Sequence, residues 1–213
     1  MCDTRRRRAY LLAISFAVAS VIAGAIDMPV ARFVSDSGMP GDLRKLFSVS
    51  EVFAHGMGVA LILLAVVVLD PTSRRRVPRV ACSAYGAGLI AQVAKLLLPR
   101  LRPHVCDLSV PVWRTFFLGG ADRYVQLESL SGRDVHSFPS GHSATAVGLA
   151  FGLAWLYPRG RWLFAFYALL AMMQRVESGA HFVSDTLAGA AIACLVAALC
   201  YGDGKLDRIF KKL

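Results

Sequence analysis

Six apolar runs constrain this chain more than any other feature. They fall at residues 9–26, 52–69, 77–98, 143–156, 162–173 and 186–201. Crossing a bilayer as a helix takes roughly 20 mostly apolar residues, because lipid offers the backbone no hydrogen-bond partner. The fourth and fifth runs are short taken alone. Pro158-Arg159-Gly160-Arg161 between them makes a hairpin connection, and extending each run toward its polar motif brings it to spanning length. With 56% of its 213 residues hydrophobic, the chain is too apolar for an ordinary soluble domain. The expected fold is all-α: a polytopic membrane helical bundle of six transmembrane helices, one membrane-embedded domain over residues 1–213.

Charge placement orients the spans. Arg5 to Arg8 precede the first run, and Arg74, Arg75, Arg76 and Arg79 sit between the second and third. Arg159 and Arg161 join the fourth and fifth, while Lys205, Arg208, Lys211 and Lys212 follow the sixth. With six spans all four clusters share one side, which the positive-inside rule makes the cytoplasm, so both termini are expected there. The net charge of +10 then reflects topology and some attraction to anionic headgroups, and no nucleic-acid partner is expected. Arg-rich residues, an apolar run and Ala23-Gly24-Ala25 also fit a secretory signal peptide, but the run is long enough to span and more spans follow. Five cysteines without paired spacing argue against a disulfide framework and against a zinc site.

Three polar motifs fall on the opposite side: Lys95 to Arg102-Pro103, then Pro139-Ser140-Gly141-His142, then Arg175 to His181 and Asp185. Lys95 ends the third span, where a lysine alone would simply snorkel. Pro99 and Pro103 should hold Arg102 on an extended segment from which its planar fork of donors can reach two phosphate oxygens. Arg100 is a nearby competitor, and spacing does not choose between them. Ser140 suits an N-cap, and the helix start behind Gly141 leaves amides free for an anion. A cap does not account for His142, which is placed to protonate a leaving oxygen. His181 and Asp185, four apart, would share a helix face, the carboxylate fixing the imidazole tautomer and freeing its other nitrogen as a nucleophile. Arg175 ends the preceding helix, and a turn at Gly179 should return it to His181.

Together these motifs resemble the three-part signature of the type 2 phosphatidic acid phosphatase superfamily, which includes membrane lipid phosphatases, isoprenoid diphosphate phosphatases, glucose-6-phosphatase and soluble vanadium-dependent haloperoxidases. The resemblance implies that His181 attacks phosphorus, Asp185 orients it and His142 is the general acid. It also implies that Lys95, Arg102, Arg175, Ser140 and the Gly141 amide hold the phosphoryl oxygens, with no metal and no cofactor. Gln174 departs from the pattern, where family members usually carry serine before the arginine.

Six spans select the membrane branch. The expected activity is hydrolysis of a lipid phosphomonoester or diphosphate (phosphatidate, phosphatidylglycerophosphate, isoprenyl diphosphate or lipid A type) through a phosphohistidine, on the outer, periplasmic face of a bacterial inner membrane. A lipid-to-lipid phosphotransferase using the same intermediate, and a non-catalytic lipid-binding or transport protein, are the alternatives. Substrate selection is expected in residues 27–51 and 103–138. His55, His104 and His136 are read as structural or solvent-facing. Gly148 and Gly152 form a helix-packing pattern that leaves the oligomeric state open.

Overall fold

The structure is a computed structural model that describes residues 2–37, 39–116, 134–202 and 210. The described residues form eight α-helices: α1 (Cys2–Ala23), α2 (Asp27–Ser37), α3 (Gly41–Ser50), α4 (Gly56–Leu69), α5 (Val77–Leu97), α6 (Gly141–Leu156), α7 (Arg161–Glu177) and α8 (Val183–Tyr201). Among these residues there is no strand, and Arg100 makes only isolated bridges with Phe116 and His136. The all-helical expectation holds. Residues 117–133 of the long outer segment, and Lys205, Arg208, Lys211 and Lys212, lie outside the described residues.

Two helical stretches are long and apolar enough to cross a membrane, Arg74–Leu97 and Val183–Tyr201. The count reaches four if each bent pair is one span: α1 with α2, which meet at 69°, and α3 with α4, at 67°. Helices α6 and α7 have 16 and 17 residues, roughly 24–26 Å of rise against a hydrocarbon core of about 30 Å. The reason α6 is short is local. Ser140 accepts a hydrogen bond from the Ser143 amide at 3.3 Å and caps the helix, so the second motif turns the chain there instead of lengthening the span. Residues 27–51 fold into α2, α3 and a 3₁₀ turn over Glu51–Phe53.

Helix α6 lies in the middle of the bundle, against α5, α7 and α8, and α1 runs along α8. Small residues set these approaches. A Cβ on Gly148 would stand 2.5 Å from the Ser83 carbonyl oxygen of α5, and one on Gly152 would stand 2.3 Å from Val80 Cγ1. The Gly148–Gly152 pattern is therefore consumed by packing within the chain. A Cβ on Gly189 would meet the Ser140 carbonyl oxygen at 2.3 Å, so α8 can pass directly beneath the start of α6. The outer surface is apolar: Val21, Leu69, Leu97 and Trp162 are each at least 75% exposed. That surface suits lipid contact and would be costly in water.

These packings put four helix ends together. Gly88 of α5 lies against Thr145 of α6, and Val80 against Gly152, so the two helices run antiparallel. Helices α6 and α8 start at the end where α5 and α7 finish. All three polar motifs thereby meet at one end of the bundle.

Candidate active site

Lys95 occupies the last turn of α5 and is buried. Beyond it the chain is extended, as the prolines predict: Arg102 has φ −78° and ψ 151°. The segment is held on two sides, by Arg100 N–H donating to Val135 O (2.8 Å), Arg102 N–H to Asp134 O (2.8 Å) and Leu101 N–H to Thr115 O (2.9 Å). Successive side chains of an extended segment point to opposite faces, which separates Arg100 from Arg102.

Arg100 is fully buried and committed to the scaffold. Its guanidinium donates to Asp185 Oδ1 (2.5 Å), Ser184 Oγ (2.7 Å), Asp27 Oδ2 (2.7 Å) and Thr115 Oγ1 (3.0 Å). Phe116 and Phe182 contribute ring faces 4.6 and 4.2 Å from Cζ. Arg100, the competitor that spacing left open beside Arg102, thus clamps carboxylates and belongs to the scaffold. Asp27, at the start of α2, also accepts from the Ser184 amide and hydroxyl. The segment after the first span is thus tied into the third motif.

His181 and Asp185 come together, though not as residues sharing a helix face. Helix α8 begins at Val183, two residues after His181. The carboxylate reaches back over the helix start, where Oδ2 accepts from the Phe182 amide (2.8 Å) and Ser137 Oγ (2.6 Å) and stands 3.6 Å from His181 Nδ1. That last separation is beyond hydrogen-bond range, and such contacts commonly tighten only around a substrate. The turn from α7 carries Gly179 at φ +64°, a left-handed conformation that glycine adopts without Cβ strain. It lets the His181 amide donate to Arg175 O at 3.1 Å. Burial pushes the His181 imidazole down to about 4, against the pull of Asp185, so the ring is neutral near pH 7.

The second motif meets the third through the backbone: the Ser140 amide donates to Asp185 O at 2.9 Å. The Ser140 hydroxyl is engaged in the cap, accepting also from Ser143 Oγ at 3.0 Å. Gly141 opens α6 close to α5, where an added Cβ would lie 3.3 Å from Gln92 Oε1. His142 sits just before the apolar run of α6 and is partly open, its side chain 34% exposed.

Residues outside the three motifs complete the site. Glu51, from the 3₁₀ turn before α4, places Oε1 2.8 Å from the Arg175 guanidinium and 3.9 Å from His142 Nε2. Gln174 accepts from Arg175 Nε at 2.5 Å, so its side chain fixes that arginine. His55 is exposed, as the solvent-facing reading expected, and its ring centroid stands 6.2 Å from that of His142. His104 is structural as expected, bridging Gly179 O (3.1 Å) and Asp134 Oδ1 (3.2 Å). A signal for Asp27 and Glu51 existed in the sequence, because acids bordering membrane runs mark sites more often than surface. Nothing in the spacing ties Ser137 or Thr115 to it.

Residues 78–206 match the PAP2 superfamily. The chain belongs to this family. Lipid A 1-phosphatase of Rhizobium johnstonii is 36% identical over 107 residues, covering 49% of this chain and 38% of that protein. Its counterpart in Rhizobium etli is 37% identical over 106 residues, covering 49% and 40%. The matched stretch is thus about two fifths of the length of these relatives. Among solved structures, LpxE of Aquifex aeolicus superposes with a TM-score of 0.62 at 18% identity, covering 82% of this chain and 94% of that one. The first transmembrane PAP2 type phosphatidylglycerolphosphate phosphatase from Bacillus subtilis gives 0.63 at 16% identity, covering 98% and 97%. Both likenesses are of fold. Within a PAP2 fold, this chain gathers two imidazoles, a carboxylate and three cations at the buried end of the bundle.

Proposed function

We propose that this protein is a membrane lipid phosphatase that works through a phosphohistidine. The observation that carries the reading is the convergence, at one end of an apolar bundle, of His181 backed by Asp185, of His142 and of Lys95, Arg102 and Arg175. In this reading the cations and the amides at the start of α6, with Ser140 and Gly141, bind the phosphoryl oxygens, so most of the rate gain is electrostatic. The Nε2 lone pair of His181 forms the N–P bond while the P–O bond to the lipid breaks, and His142 supplies the proton to the leaving oxygen. Water then attacks phosphorus, His142 takes its proton and the N–P bond breaks. Asp185 stabilises the charge that develops on the His181 ring.

Six spans, one domain over residues 1–213, cytoplasmic termini and a site facing the periplasm from a bacterial inner membrane complete the proposal. Support comes from the four basic clusters and from the apolar exterior. Helices α6 and α7 would complete their spans with flanking residues, and local bilayer thinning covers the remainder at modest cost. The names of the two rhizobial relatives put the 1-phosphate of lipid A first among substrates, before phosphatidylglycerophosphate, phosphatidate and isoprenyl diphosphate.

The test is phosphate release from these lipids by the detergent-purified protein, with acid-quench trapping of labelled enzyme. His181→Ala should abolish both release and labelling. His142→Ala should slow release by about 10²–10⁴-fold, the usual share of general acid catalysis. Normal turnover in His181→Ala rejects the mechanism.

A further inference from the structure

The end of the bundle opposite the histidines carries a second cavity, of about 590 Å³. It lies between the start of α1 and the start of α7, over the ends of α6 and α8, and includes Arg6, Arg8, Leu12, Phe151, Trp155, Arg161 and Trp162. Trp155 is thirteen positions beyond His142 in the chain, roughly 20 Å along α6, so the cavity is separate from the site above. Among the described residues its charged lining is Arg6, Arg8 and Arg161, and its wall is otherwise largely apolar. Arg6 is held in place by Tyr10, its NH2 3.3 Å from the hydroxyl. The Arg161 guanidinium lies over the Trp162 ring, 5.3 Å from its centroid. Across Trp155 a neighbouring cavity of about 440 Å³ is lined by Arg75, Arg76 and Arg79.

We propose that this groove binds an acidic phospholipid, its headgroup phosphate on Arg8 and Arg161 and an acyl chain along Leu12 and Phe151. Arg8 and Arg161 set positive charge on an apolar wall, which an anionic headgroup with a hydrocarbon chain complements. Arginine forks suit phosphate oxygens. Tryptophans such as Trp155 and Trp162 sit by preference at headgroup depth, and the volume falls in the range of small-molecule sites. A soluble anion would satisfy the arginines but leave the apolar wall bare, so the lipid is the better match. The inference rests on the membrane reading of the fold and is independent of the phosphohistidine chemistry.

Phosphatidylglycerol is the probe, because its phosphodiester is not the phosphomonoester or diphosphate that the proposed reaction consumes. Delipidated protein in a neutral detergent would be heated with phosphatidylglycerol, phosphatidylcholine or inorganic phosphate, and native mass spectrometry would count retained lipids. Phosphatidylglycerol at about a hundred times its Kd should raise Tm by roughly 5–10 °C, with one lipid retained and no shift from the other two. The double variant Arg8→Gln, Arg161→Gln should lose the shift and the retained lipid while keeping wild-type phosphate release. An undiminished shift in the double variant overturns the proposal, as does an equal shift with phosphatidylcholine. An equal shift with inorganic phosphate also overturns it, in favour of a soluble anion. Since Tm and lipid retention do not require turnover, failure of the phosphatase reading leaves this test intact.

Discussion

Replacing Arg100 by methionine would test whether the Asp185 carboxylate is held by a buried ion network. Arg100 is fully buried, and each arm of its guanidinium is used by Asp27, Asp185, Ser184 or Thr115. Methionine keeps most of the side-chain volume and removes the charge and every donor. Two fully buried carboxylates are then left without the cation they share. Removing one partner of a buried pair typically costs 3–5 kcal/mol, far more than the net worth of the pair, because the remaining charge is stranded. For a chain of this size that is a fall in Tm of roughly 6–20 °C. Asp27→Asn should cost less, about 1.5–3 kcal/mol, because asparagine still accepts from the Ser184 amide. The two changes share one network, so the double variant should lose less than the sum of the singles. Phosphate release should follow Asp185 and not stability alone: Arg100→Met falls sharply even at 10 °C, where the fold persists, whereas Asp27→Asn retains most of its rate. Thermal unfolding in detergent and initial rates on the same preparations give both readouts. An Arg100→Met protein with unchanged Tm and rate, or strictly additive losses, refutes the network.

Three further predictions follow from the geometry. Glu51 pairs with the guanidinium of Arg175, so a phosphate bound to that guanidinium would compete with it; being a partly exposed pair it is worth about 1 kcal/mol at most, and Glu51→Gln should lower KM up to about fivefold, whereas a raised KM would mean Glu51 helps bind. His181 has a lowered proton affinity in the folded state, about 4 against 6.5, so the unfolded chain binds more protons between those values and folding stability must fall as pH drops from 6.5 toward 4. Tm measured across that window should decline, and less so in His181→Asn; a rise on acidification would contradict the buried neutral imidazole. Gly148→Ile forces a Cβ to within 2.5 Å of the Ser83 carbonyl oxygen, and overpacking of this kind costs about 1–3 kcal/mol; an unchanged Tm would mean that α5 and α6 are not in contact there.

Much of this protein is legible in its sequence because two codes within it act locally. Hydropathy fixes which stretches become helices, since lipid enforces an internally hydrogen-bonded backbone. Proline and serine fix where the polar segments bend, so the extended Arg102 and the cap at Ser140 follow from residues beside them. The charge clusters carry the proposed orientation by the same short-range logic.

Tertiary structure decides the rest, because it concerns contacts between residues distant in the chain. Asp27 and Glu51 enter the site only because α2 and α3 bend off their neighbours by 69° and 67° and fold back over it. No spacing relates Asp27 to Asp185; a shared guanidinium does. The same contact shows that Arg100 supports the carboxylate. Spacing also gives the wrong reason for a right neighbour: His181 and Asp185 meet across the start of α8, where unpaired amides draw the carboxylate backward. The sequence by itself determined which chemical groups lie at this end of the bundle. Only packing decided which of them are spent on holding the others in place, because a buried charge must find its partner wherever the fold brings one.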